Sequence, residues 1–163
     1  MISIFTILFL ILGLAVGSFL NVVIYRWGTH RGLGGRSVCL SCQSGLCWYE
    51  LIPLVSFCAL GGRCRVCKTR ISRIYPTVEL LTGLLFLGLF LKFQDLFFLD
   101  ALAFVFTYAY YAAAFSILVV IAFYDLRHKI GPDSFSLAVG VLSFFGLFIF
   151  GGSGFHIRSP SLW

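Results

Sequence analysis

Apolar and polar positions along the chain fall into long blocks. From Ile2 to Tyr25 there is no charge, and the first charged residue is Arg26. A bilayer core takes about 20 apolar residues in a helix, so this block predicts a membrane span. It lacks the basic leader and the small-x-small site of a cleaved signal peptide and reads as a retained span. Ile74–Phe93 predicts a second span, with Glu79 near its start and Lys92 near its end. Leu96–Tyr124 predicts a long third, with Asp100 in its first turn, and Ser134–Phe150 a short fourth. The connections are a loop from Arg26 to Arg73, a tight turn at Gln94-Asp95, and the segment Asp125–Asp133. The remaining "GGSGFHIRSPSLW" is polar and rich in Gly and Ser, and ends as though another segment should follow. No internal repeat stands out.

Composition agrees with the blocks. The 163 residues are 60% hydrophobic and 11% charged, with a mean hydropathy of +1.02. An ordinary soluble domain is roughly 25% charged. The expected fold is an all-α polytopic membrane protein of about four transmembrane helices with a zinc-ribbon-like loop. The net charge of +6 is uneven: eight of the twelve Lys and Arg residues lie between Arg26 and Arg73. Apolar runs of spanning length argue against a nucleic-acid reader. By the positive-inside rule, the N-terminus lies outside and the Cys loop is cytoplasmic. Ten basic residues fall in that loop and in Asp125–Asp133, while only Lys92 and Arg158 lie on the other side.

The loop holds all six cysteines. Cys39-x-x-Cys42 and Cys64-x-x-Cys67 have 21 residues between them, close to the spacing of a four-thiolate zinc ribbon. The alternative is two disulfides or unpaired thiols, which a reducing cytoplasmic side disfavours. A loop with few apolar side chains also gains folding free energy from bound metal. Cys47 and Cys58 read as small hydrophobes, and His30 as a solvated residue rather than a substitute ligand.

Gly13, Gly17 and Asn21 are spaced by four and share one helix face in the first span. Small residues admit a neighbouring helix, and an amide in lipid needs a partner. That face could join two chains as readily as two helices of one. The aromatic run Phe104–Tyr111 reads as helix packing. Asp125 closes the third span. It is either an interfacial acid paired with Arg127 or Lys129, or a catalytic acid tuned at the lipid boundary. Asp133 could cap the fourth helix, and Glu79 and Asp100 could complement helix dipoles.

The ordered set of motifs resembles the type IV prepilin peptidases, a family of polytopic bacterial aspartic proteases. It consists of "GSFLNVVIYR" (Gly17–Arg26), the paired cysteines around "WYELIPLVSF" and "LGGRC", "ISRIYPTVELLTGLLF" (Ile71–Phe86) and "FYDLRHKIGPD" (Phe123–Asp133). The resemblance implies a bacterial inner-membrane enzyme that removes the leader of prepilins or pseudopilins on the cytoplasmic face. It often also methylates the new N-terminus from S-adenosylmethionine. It implies two domains: residues 1–94 as the N-terminal domain and 95–163 as the start of the peptidase domain. It assigns Asp125 to catalysis and associates Gly61, Gly62, Glu79 and Asp133 with substrate or methyl transfer.

Aspartic catalysis uses two close carboxylates that cannot both ionise, one taking a proton from water and one polarising the carbonyl. The family's second aspartate lies in a Gly-x-Gly-Asp motif, which this sequence lacks. Gly131 also stands where the family usually has isoleucine. The expectation is an N-terminal piece or truncated homologue that binds zinc and inserts in the membrane but does not cleave prepilin. The alternatives are a non-catalytic zinc-binding scaffold of a pilus or secretion assembly and, last, a small transporter, for which the inverted repeats are missing.

Overall fold

The structure, a computed structural model, describes residues 2–27, 34–35 and 37–128. His30, Asp133, the Ser134–Phe150 block and the Gly/Ser-rich tail lie outside the described residues. The described elements are α1 (Ile2–Arg26), a 3-10 turn (Trp48–Leu51), α2 (Val55–Ala59), α3 (Ile74–Leu99) and α4 (Ala101–His128). Three of them, α1, α3 and α4, are long and apolar enough to cross a membrane. No strand occurs among the described residues, only the isolated antiparallel bridges Val38–Gly45 and Arg63–Arg70.

The expected boundary between the second and third spans is corrected. Gln94 and Asp95 do not turn the chain; they sit inside α3, which runs on to Leu99. Neither residue is a breaker of the Gly or Pro kind, and Asp95 is exposed, so the helix loses nothing by carrying it. The break comes at Asp100, whose backbone is extended. Its carboxylate accepts from the Leu102 and Ala103 N–H groups at 3.0 and 3.1 Å, an N-cap for α4.

Helix α1 lies against α3 through the face of small residues. A Cβ built on Gly13 would stand 2.6 Å from the Phe86 Cβ, and one on Gly17 would stand 2.8 Å from the Glu79 Cα. Only hydrogen fits there, so the two backbones touch. The face that could have joined two chains is taken by α3 of the same chain. Asn21, 2% exposed, ends this face and donates from Nδ2 to the Tyr75 carbonyl at 3.1 Å.

Two apolar clusters hold the helices together. One joins Leu20, Val23 and Ile24 of α1 to Val78 of α3 and to Val119 and Val120 of α4. The other is aromatic. Phe9 stacks on Phe90 at 4.5 Å, and Phe104 and Tyr108 of α4 complete it, with the Tyr108 hydroxyl donating to the Phe86 carbonyl. The 104–111 run thus packs helices, as expected. The first cluster gathers the C-terminal ends of α1 and α4 and the N-terminal end of α3, which fixes where the loop and Asp125 emerge.

Candidate functional site

The loop is organised by two knuckles with the same backbone. In the first, Cys39 N–H donates to the Ser44 carbonyl and Gln43 N–H to the Cys39 carbonyl, both at 2.9 Å. In the second, Cys64 N–H donates to the Thr69 carbonyl at 2.9 Å and Lys68 N–H to the Cys64 carbonyl at 3.1 Å. Gln43 and Lys68 both adopt left-handed φ, 58° and 59°. Each knuckle is closed by one antiparallel bridge at the same register. The two units thus form a duplication that the sequence hides, because only the cysteines and a hydroxyl residue are common to them.

The duplication brings the four predicted thiols together. The Sγ atoms of Cys39, Cys42, Cys64 and Cys67 all lie within 4.8 Å of one another, and Cys39 and Cys67 are 3.8 Å apart. A tetrahedral ion with Zn–S bonds of about 2.3 Å places its sulfurs about 3.8 Å from each other. The cluster can therefore hold a metal ion with little movement, and all six cysteines are free thiols.

Hydroxyls support the thiols at matching positions. Ser44 Oγ lies 3.0 Å from Cys42 Sγ, and Cys67 Sγ lies 3.2 Å from Thr69 Oγ1. The Ser44 hydroxyl, with its own N–H, pushes the Cys42 thiol down to about 6. The N–H groups of Cys67 and Val66 lower Cys64. For Cys39 the N–H groups of Cys42 and Ser41 pull downward, but burial and the thiols of Cys64 and Cys42 outweigh them and leave it raised. A cation bound among the four sulfurs would favour their thiolate forms.

Cys47 and Glu50 have a role that the sequence reading missed. The Glu50 carboxylate accepts the Cys47 N–H at 2.7 Å and pairs with the Arg65 guanidinium at 3.1 Å. Arg65 also reaches Cys47 Sγ at 3.6 Å. Glu50 thereby ties the 3-10 turn to the second knuckle. Cys47-x-x-Glu50 is a capping-box spacing, a signal that could have found half of it; Arg65 is too distant in sequence. Cys58 is exposed on α2 and lies outside the four-thiol cluster.

Gly61 and Gly62 end α2 in left-handed backbone, with φ 59° and 66°. Gly62 N–H closes on the Phe57 carbonyl at 2.8 Å, and a Cβ on Gly62 would lie 2.9 Å from the Phe57 ring. Only glycine suits that turn. Glu79, 8% exposed, accepts the Leu54 N–H at 2.8 Å. The side chains of Ser18 and Asn21 face the same carboxylate. Leu54 carries a φ of 58°, a strained value for leucine, at this contact.

Asp125 lies in the last turn of α4. Its Oδ1 is buried and meets no donor among the described residues. The pair with Arg127 that its spacing allowed does not form: the Arg127 guanidinium instead lies 3.7 Å over the Tyr25 ring, which stacks on Tyr75 at 4.4 Å. Lys129 lies outside the described residues. The thiol cluster, Glu79 and Asp125 are therefore gathered at one end of the helices but not into one constellation.

The family model described as "Bacterial Peptidase A24 N-terminal domain" matches residues 11–93. The chain belongs to this family. Relatives of the family member include a "Prepilin leader peptidase/N-methyltransferase" of Myxococcus xanthus, 45% identical over 136 residues, which are 82% of this chain and 37% of that protein. A protein of the same name from Neisseria gonorrhoeae is 39% identical over 101 residues, 47% of this chain and 35% of that protein. Another, from Stutzerimonas stutzeri, is 32% identical over 176 residues, 88% of this chain and 56% of that protein. The chain thus spans from about a third to somewhat over half of these relatives. No solved structure matches it. The resemblance to the prepilin peptidases is borne out at the level of the family.

Proposed function

We propose that this A24 family chain supplies the N-terminal domain and the first catalytic aspartate of a bacterial inner-membrane aspartic endopeptidase. Its substrates are prepilins or pseudopilins, cut after a short basic leader. The N-terminal domain runs to the end of α3 at Leu99, and the peptidase domain begins with α4 at Ala101. The observation that carries the reading is the Asp125 carboxylate in the last turn of α4, with its Oδ1 buried and meeting no donor among the described residues. The skewed cationic residues support a cytoplasmic loop and an outside N-terminus.

In this reading one carboxylate of a pair is ionised and takes a proton from water as the water oxygen attacks the scissile carbonyl. The protonated partner hydrogen-bonds the carbonyl oxygen, and the amine leaves with a proton. Asp125 is one member. The other would come from a Gly-x-Gly-Asp segment that these 163 residues do not contain. Zinc on Cys39, Cys42, Cys64 and Cys67 would be structural, since four thiolates leave no open position for substrate. Methyl transfer is the finer part of the proposal, with Gly61, Gly62, Glu79 and Asp133 as its candidates. The cavity of about 270 Å³ lined by Leu84, Leu89, Lys92 and Tyr111 is too apolar to fit S-adenosylmethionine and lies toward the other end of α3.

The test is a split enzyme. Membranes carrying the chain receive a prepilin, with and without the remaining C-terminal part of the Myxococcus xanthus relative. Cleavage only with both parts, lost in Asp125→Asn, supports the proposal. Cleavage by the 163-residue chain alone would remove the two-piece arrangement. Cleavage unaffected by Asp125→Asn would remove the catalytic role. Stable capture of pilus-assembly proteins with no cleavage in any combination would favour the scaffold reading.

A further inference from the structure

The stretch from Trp48 to Val55 shows water a surface that water disfavours. Trp48 is 77% exposed and Val55 61%, and Tyr49, Leu51 and Ile52 are each more than a third exposed. The one acid among them, Glu50, is turned inward onto Arg65 and the Cys47 N–H. The stretch therefore presents five apolar or aromatic side chains and no free charge.

The tether at Leu54 sets its depth. Helix α3 has 26 residues, about 39 Å at ~1.5 Å per residue, against a hydrocarbon core of about 30 Å. An overhang of about 9 Å shared between two ends puts Ile74 about 4–5 Å above the hydrocarbon. Glu79, five residues further on, then lies about 3 Å below that boundary. The hydrogen bond from Leu54 N–H to Glu79 holds the start of α2 at this level. The chain accepts a left-handed Leu54 to make the contact. The loop thus folds back along the side of the helices rather than rising away from them.

Charge points to the same partner. Residues 37–73 carry five basic residues, Arg63, Arg65, Lys68, Arg70 and Arg73, against the single acid Glu50. Exposed Trp and Tyr on a loop with this excess of cations form the pattern that settles at a headgroup layer, the more so if the lipids are anionic.

We propose that Trp48–Val55 is a membrane-interface anchor, seated among the headgroups and first acyl carbons of the leaflet on the loop's side, which holds the thiol cluster against the bilayer. The anchor depends on α1, α3 and α4 spanning a bilayer and not on the peptidase reading.

The test uses the full chain in vesicles of phosphatidylcholine and phosphatidylglycerol, with bromine placed either shallow or deep on the acyl chains. Subtracting the emission of Trp48→Phe from that of the native chain isolates Trp48, and the exposed position tolerates the change. The expected result is blue-shifted Trp48 emission that loses most of its intensity to shallow bromine, less to deep bromine, and little to aqueous iodide. Quenching by iodide and by neither lipid would overturn the anchor, as would a Trp48 shielded from all three by another protein surface or by the rest of this chain. As a second measurement, Val55→Asp should raise iodide access to Trp48 while cobalt binding by the cysteines continues; unchanged iodide access would overturn the proposal.

Discussion

Ser44 and Thr69 occupy equivalent positions in the two knuckles, each two residues after a cysteine whose sulfur it meets. Groups that hydrogen-bond metal ligands fix their orientation, and losing them costs roughly 10–100-fold in metal affinity. The double substitution Ser44→Ala and Thr69→Ala should weaken cobalt or zinc binding by that order, read by titration against a competing chelator; equal affinity would show that the hydroxyls do not tune the site. Glu79 permits a sharper distinction. Glu79→Gln retains an oxygen for the Leu54 N–H, whereas Glu79→Ala leaves a partly buried donor unpaired, at about 1–3 kcal/mol. Faster amide exchange across Leu54–Leu60 in the alanine variant and not in the glutamine variant would confirm the tether. The four thiols were legible because Cys-x-x-Cys carries its geometry in its spacing. The Glu50–Arg65 pair was not, because nothing local links residues 15 apart.

At the scale of the helices, glycine carries most of the specificity. Gly17 has the Glu79 backbone 2.8 Å from where a Cβ would stand, while Gly88 in α3 has nothing within 4 Å. The same substitution should therefore have opposite outcomes. Gly17→Ala should push α1 from α3 and cost about 1–3 kcal/mol. Gly88→Ala should be neutral or stabilising by up to about 1 kcal/mol, since glycine is a poor helix former. Unfolding of the detergent-solubilised chain in increasing SDS, followed by helicity, would rank the two. The Gly13–Gly17–Asn21 face was readable because its period of four is a property of the helix alone. The end of α3 was not readable, because a polar pair such as Gln94-Asp95 marks a turn or an exposed helical turn equally well. The choice was made by Phe97, packed on Phe5 and Phe104 at 5.0 Å, through contacts that close only when three helices assemble.

Across the whole molecule, stability is divided between two parts that depend on different forces. The helices hold buried apolar clusters that join α1, α3 and α4. From residue 37 to residue 73 the only buried hydrophobic side chain is Cys64. Within the protein itself, such a loop has little to set against its conformational entropy beyond its hydrogen bonds, the Glu50–Arg65 pair and whatever the thiol cluster binds. Removing metal with a strong chelator should therefore open the loop to proteolysis between Ser37 and Arg73 while far-UV helicity is nearly unchanged. Loss of the helices in parallel would show that the two parts fold as one unit. Cys58 then reports which side of the membrane the loop occupies, because it is exposed and stands apart from the cluster. With metal bound and the four ligand thiols protected, an impermeant maleimide should label Cys58 in inverted membrane vesicles and not in intact cells. Labelling of intact cells would place the loop, the basic cluster and Asp125 on the outer side, and the proposed site of leader cleavage would move with them.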